Sequence, residues 1–162
     1  MLVAQITDTH ITIPSKLLMG VVDTASALER AVSALNSLDP VPDATVLTGD
    51  LVESGEPEEY AHLRTLLSPL CMPVFAIPGN HDAREPMREA FVGDGYLPRQ
   101  GFLNYVIEDY PLRIIGLDTL VPGEGGGFLG RAADAWGEGR SGHRRQSRAP
   151  CGIREDFHFA SR

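Results

Sequence analysis

Residues 44–82 read ATVLTGDLVESGEPEEYAHLRTLLSPLCMPVFAIPGNHD, two short apolar runs, each stopped by a glycine-containing polar cluster, with a helical pattern between them. Residues 44–48 and 74–77 are too short for buried helices and end at Gly49-Asp50 and Pro78-Gly79, so they predict strands. Between them Pro57 suits the first turn of a helix, and Tyr60, Leu63, Leu67 and Leu70 recur at helical spacing on one face. Strand, helix, strand within this length predicts a βαβ unit with parallel pairing.

The pattern extends in both directions. Residues 2–7 form another short apolar run, ending at Asp8-Thr9-His10. Across 23–38, Ala25, Leu28, Val32, Leu35 and Leu38 mark an amphipathic helix, with Asp23 or Thr24 as N-cap. A short helix over 84–91 follows the third strand. Residues 102–108 and 112–118 read as a hairpin that extends the sheet, and the glycine-rich stretch 122–130 reads as a loop. The fold class is α/β, with ligands expected beyond the carboxyl ends of the strands.

All the polar clusters fall at those ends. Asp8, His10, Asp50, Asn80 and His81 each follow a predicted strand and are expected to meet at one rim. Taken singly, Asp-x-His and Gly-Asp are more often solvated turns; order, spacing and placement together give them weight. Carboxylate, imidazole and amide oxygen, with no thiolate, suit hard to borderline divalent ions: Mn²⁺, Fe²⁺, Mg²⁺ or Zn²⁺. Two such ions about 3.5–4 Å apart clamp a phosphoryl group and lower the pKa of a coordinated water. Asp50 is the candidate bridge between them. Gly49 and Gly79 are expected to let the chain turn sharply before Asp50 and Asn80.

Ile6-Thr7-Asp8-Thr9-His10-Ile11, Thr48-Gly49-Asp50-Leu51 and Pro78-Gly79-Asn80-His81-Asp82 resemble the first three motifs of the calcineurin-like metallophosphoesterases. Pro57-Glu58-Glu59-Tyr60 and Leu117-Asp118-Thr119-Leu120-Val121-Pro122-Gly123 are similar to class III cyclic nucleotide phosphodiesterases and their glycerophosphodiesterase relatives. The resemblance covers residues 1–130. It implies an incomplete four-layer α/β/β/α sandwich in which Asp8 and His10 hold one metal, Asp50 bridges and Asn80 holds the second. It implies that His81 approaches the phosphate, stabilising the transition state or protonating the leaving oxygen, with Asp82 helping to orient it. The absence of Asp-Arg-Gly after Gly49-Asp50 sets the chain apart from the Ser/Thr protein phosphatases. Glu53 stands where relatives commonly have Asp.

The expected activity is metal-dependent hydrolysis of a small phosphodiester by metal-activated water, on 3′,5′-cyclic nucleotides or, alternatively, glycerophosphodiesters. A third possibility, a nucleotide-binding module, lacks the glycine-rich phosphate loop it requires.

At 162 residues with 43% hydrophobic content the chain has the size of one domain. Its net charge of −8 argues against a nucleic-acid backbone as a standing partner. No apolar run approaches membrane-spanning length, so no membrane partner and a cytoplasmic location are expected. Cys71 and Cys151 show neither metal-ligand nor disulfide-framework spacing. The charge divides unevenly: residues 131–162 carry +3 and the remainder −11. Beyond Gly130 no helical or strand period survives, which predicts a disordered Arg/Gly-rich tail over 131–162, foreign to the fold. The family's His-His-Pro-Pro and Gly-His-x-His runs are absent, and His143 and His158 lack the pattern. A chain truncated or frameshifted after about residue 130 is therefore expected, with a catalytically inactive fragment as the alternative to an enzyme.

Overall fold

The computed structural model describes residues 1–128. The expectations for the 131–162 tail, His143 and His158 lie outside the described residues.

Three parallel strands form the central sheet in sequence order: β1 (Val3–Ile6), β2 (Ala44–Thr48) and β3 (Val74–Ile77). Val3 pairs with Ala44 and Thr45 with Val74, so all three carboxyl ends fall together. The central strand, β2, is buried over most of its length, as an apolar run flanked by two strands and covered by helices should be.

Helix α1 (Thr24–Asn36) begins where expected, because Asp23 accepts a hydrogen bond from the Ser26 amide at 2.9 Å and so satisfies an orphan donor of the first turn. Leu28 and Val32 are its buried residues. The helix stops before Leu38, which is exposed rather than part of the inner face. Helix α2 (Pro57–Leu67) starts on Pro57 and buries Tyr60, Leu63 and Leu67, and Leu70 just beyond it is buried too. It packs between α1 and the short α3 (Arg84–Ala90).

The expected hairpin exists, as β4 (Tyr105–Ile107) against β5 (Ile114–Gly116), but it forms a separate two-stranded antiparallel sheet and does not extend the first. The reason lies at the outer edge of β3, where the Ala76 amide already donates to the Tyr96 hydroxyl at 2.9 Å. The hairpin instead reaches the sheet through side chains. Phe75 meets Tyr96 edge-on at 5.3 Å between ring centroids, and Tyr96 meets Tyr105 at 4.7 Å. Gly116 is required here, since a Cβ would lie 2.3 Å from the Tyr105 ring.

Candidate metal centre

Strand β1 ends at Ile6, yet its chain stays tied to the exit of β2. The Asp8 amide donates to the Gly49 carbonyl at 3.1 Å, His10 to Asp50 at 2.9 Å and Ile11 to Leu51 at 3.1 Å. These bonds hold an unusual backbone. Among the described residues only five non-glycine residues have positive φ, and three of them are Asp8 (52°), His10 (41°) and Asp50 (48°). Left-handed conformations cost such residues roughly 1–3 kcal/mol each and persist where the surroundings over-determine them, characteristically at functional sites.

The two glycines act differently from one another. Gly49 has φ 85° and turns the chain, as expected. Gly79 has no such angle, and its role is steric: a Cβ would sit 2.3 Å from both the Asp50 amide nitrogen and Asp50 Oδ1. The smallness of residue 79 makes room for the Asp50 carboxylate itself.

Around that carboxylate the polar side chains gather. Asp8, His10 and Asp50 each offer a ligand atom, all within 4.8 Å of one another. His10 Nε2 lies 3.9 Å from Asp50 Oδ2, while Asp50 Oδ1 accepts from the His81 amide at 3.0 Å. The same peptide follows Asn80, which places that exposed amide side chain one residue from the Asp50 anchor.

Glu53, noted in the sequence only as standing where relatives commonly have Asp, adds a second cluster, with ligand atoms of His10, Glu53 and His81 also within 4.8 Å of one another. Its carboxylate takes His10 Nδ1 at 2.9 Å, and its backbone carbonyl takes His81 Nδ1 at 2.8 Å. A carbonyl oxygen only accepts, so His81 carries a proton on Nδ1. The His10 arrangement, Nδ1–H to a carboxylate and Nε2 toward Asp50, is that of a ligating imidazole oriented from behind. The two rings meet edge-on, 4.7 Å between centroids. The hydrogen bond to the Glu53 carbonyl raises the His81 pKa above 6.5, burial opposes it, and the Asp50 and Glu53 charges add to the rise. Position 53, three residues after Gly49-Asp50, was the available signal; Glu59 braces that loop by accepting from the Ser54 amide at 2.8 Å.

Asp82 is placed differently from expectation. Its carboxylate is buried and accepts from the amides of Gly79 at 2.8 Å, Leu51 at 3.1 Å and Val52 at 3.4 Å, and from the Tyr60 hydroxyl at 2.8 Å. None of these bonds goes to the His81 ring, which is held by Glu53 instead. Asp82 joins the loop after β2 to the loop after β3. Burial pushes its pKa up, against the pull of those donors.

Asp118, read from sequence as a strand end, is fully buried in a two-pronged ion pair with Arg84, at 2.6 and 2.8 Å. It also accepts from the amides of Leu103 at 2.8 Å and Leu120 at 3.0 Å, and Arg84 stacks over Phe102 at 4.7 Å. No spacing rule links residues 84 and 118; only the fold brings them together. Thr119 and Leu120, which follow Asp118, line a cleft of about 160 Å³ together with residues 78–80 and the glycine loop 125–127.

The donor set of two carboxylates, an imidazole nitrogen and a nearby amide fits a hard to borderline divalent cation. The family model for calcineurin-like phosphoesterases matches residues 1–139. A probable glycerophosphodiester phosphodiesterase of Arcobacter nitrofigilis is 38% identical over 136 residues, covering 84% of this chain and 50% of that protein. A cAMP/cGMP dual specificity phosphodiesterase of Mycobacterium tuberculosis is 36% identical over 135 residues, covering 81% and 42%. A 3′,5′-cyclic adenosine monophosphate phosphodiesterase of Pseudomonas aeruginosa is 31% identical over 128 residues, covering 79% and 45%. The chain spans about half the length of these relatives or less.

Proposed function

The chain belongs to the calcineurin-like phosphoesterase family, and from that premise we propose that it carries the first part of a site for metal-dependent hydrolysis of a small phosphodiester. Asp8 and His10 would hold one divalent ion, Asp50 would lie between two, and Asn80 would hold the second; Mn²⁺, Fe²⁺, Mg²⁺ and Zn²⁺ all suit these donors. When bound, such ions supply positive charge to a phosphoryl group and acidity to water.

The chain's own residues prepare that chemistry. Glu53 fixes the His10 ring by Nδ1, leaving Nε2 as the ligating atom. Hydrolysis joins a water oxygen to phosphorus and breaks one P–O ester bond, and the departing oxygen needs a proton. His81 is the donor in this reading: Nδ1–H is held by the Glu53 carbonyl, and the Nε2 proton is the one to transfer. Asp82 is a positioning residue, holding the Asp50 and Asn80 loops in register.

The observation that carries the reading is the Asp50 carboxylate, anchored on one oxygen by the His81 amide and directed by the other toward His10 Nε2. A small-molecule substrate, rather than nucleic acid, is supported by the net charge of −8. No helix among the described residues is long and apolar enough to cross a membrane; a cytoplasmic location is part of the proposal. So is a domain boundary near residue 130, with a frameshift there tested by translating the gene in its other two frames.

Turnover of bis-p-nitrophenyl phosphate with added Mn²⁺ tests the activity. Metal-dependent hydrolysis, abolished by chelator and reduced at least a hundredfold by Asp50→Asn, is expected. Stoichiometric Mn²⁺ binding without turnover would leave a metal-binding, catalytically inactive chain, and absence of both would overturn the reading.

A further inference from the structure

The Nδ1 edge of His10 has a donor set of its own. Glu53 Oε2 lies 2.9 Å from His10 Nδ1 and 3.6 Å from His81 Nδ1, and the Glu53 carbonyl oxygen lies 2.8 Å from His81 Nδ1. Hydrogen bonds account for each contact singly. Together they gather two ring nitrogens, a carboxylate oxygen and a carbonyl oxygen about one residue, the number of donors a tetrahedral zinc ion takes. Donors bound to such an ion at about 2.0–2.1 Å stand about 3.3 Å apart, and the three separations here bracket that value. The backbone under Glu53 is tied down, its own amide donating to the Ile11 carbonyl at 3.1 Å and the next amide, of Ser54, to Glu59 at 2.8 Å.

The Glu53 group and the Asp50 group differ in kind. Asp8, His10 and Asp50 offer two carboxylates and one imidazole, whereas His10, Glu53 and His81 offer two imidazoles and one carboxylate. Carboxylate suits Mg²⁺ and Mn²⁺, and imidazole suits Zn²⁺, Ni²⁺ and Cu²⁺. Both groups need His10, and a neutral imidazole has a lone pair on one nitrogen at a time. An ion on His10 Nδ1 leaves the ring proton on Nε2, 3.9 Å from Asp50 Oδ2, where it makes that nitrogen a donor and no longer a ligand.

We propose that His10 Nδ1, His81 Nδ1 and Glu53 form a second cation site, selective for imidazole-seeking ions of the zinc class, whose occupation excludes an ion on His10 Nε2. The site itself stands on the distances around Glu53. Its consequence, an inhibited state in which His10 is withdrawn from the Asp50 centre and His81 is held by metal instead of by the Glu53 carbonyl, rests on the reading of those residues given above.

Long-range ¹H–¹⁵N spectra of the histidine rings, which separate Nδ1 from Nε2, test it on the full chain with Zn²⁺ alone, Mg²⁺ alone, and Zn²⁺ added to the Mg²⁺ form. Zn²⁺ is expected to move Nδ1 of His10 and of His81 together. Its affinity is expected to fall at least about tenfold in Glu53→Gln and to stay within about twofold in Asp8→Asn. Saturating Mg²⁺ is expected to weaken Zn²⁺ at least about fivefold, because each Mg²⁺-bound molecule is withdrawn from the zinc-competent population. The ring signals of the unsubstituted chain decide the ligating atoms whatever the variants do, and matching amide spectra check that Glu53→Gln folds. Zn²⁺ on His10 Nε2, affinity lost in Asp8→Asn but kept in Glu53→Gln, or shifts confined to other histidines would overturn the second site. Zn²⁺ on both Nδ1 atoms, with Mg²⁺ neither competing nor moving the amides of Asp8 and Asp50, would overturn the exclusion and the Asp50 reading while the zinc assignment stands.

Discussion

Asp50 sits in a left-handed backbone against a residue that cannot be larger than glycine, and this pairing gives a sharp expectation at position 79. Gly79→Ala puts a methyl 2.3 Å from Asp50 Oδ1, and the overlap can be relieved only by moving the carboxylate or the turn. The cost is about 1–3 kcal/mol of stability, as for overpacking elsewhere, and Mn²⁺ affinity falls at least tenfold; urea unfolding and calorimetric titration measure the two effects. His81 gives a second expectation. Its folded pKa is raised, chiefly by the Glu53 carbonyl, so its contribution to stability is full below pH 6.5 and is lost as pH rises through the folded value. By NMR the metal-free imidazole should titrate above 6.5. Adding Mg²⁺ should lower that midpoint, because the added positive charge disfavours the imidazolium.

Between elements, two buried polar hubs do the joining. Asp82 and Tyr60 tie α2 to the loops after β2 and β3, and Arg84 ties α3 to the segment after β5. Tyr60→Phe keeps the ring but removes the hydroxyl that donates to Asp82 and accepts from the Ala83 amide at 3.0 Å. Burial of the groups left behind predicts a loss of about 1–3 kcal/mol, read as a lower urea midpoint at unchanged m. Arg84→Met strands the fully buried Asp118 carboxylate and should cost more, about 3–5 kcal/mol, as removal of one partner of a buried ion pair does.

For the molecule as a whole, a cation that binds only the folded chain adds stability by mass action. Mn²⁺ at about a hundred times its dissociation constant should contribute about 2.7 kcal/mol, seen as a rise in Tm that excess chelator reverses and Asp50→Asn abolishes. The sequence by itself determined the strand and helix order, because each apolar run between residues 2 and 77 carries its own period and its own stop signal. It likewise placed Asp8, His10, Asp50, Asn80 and His81 at strand ends, since a parallel sheet with short crossovers puts those ends on one rim. Tertiary structure decided the rest. Which glycine turns the chain and which only makes room, that Glu53 and not Asp82 holds His81, that Arg84 meets Asp118, and that the hairpin stands apart from the main sheet are all facts of long-range contact. A local pattern encodes the period of its own element; the partner of a buried charge or an edge amide is fixed only once the elements have packed.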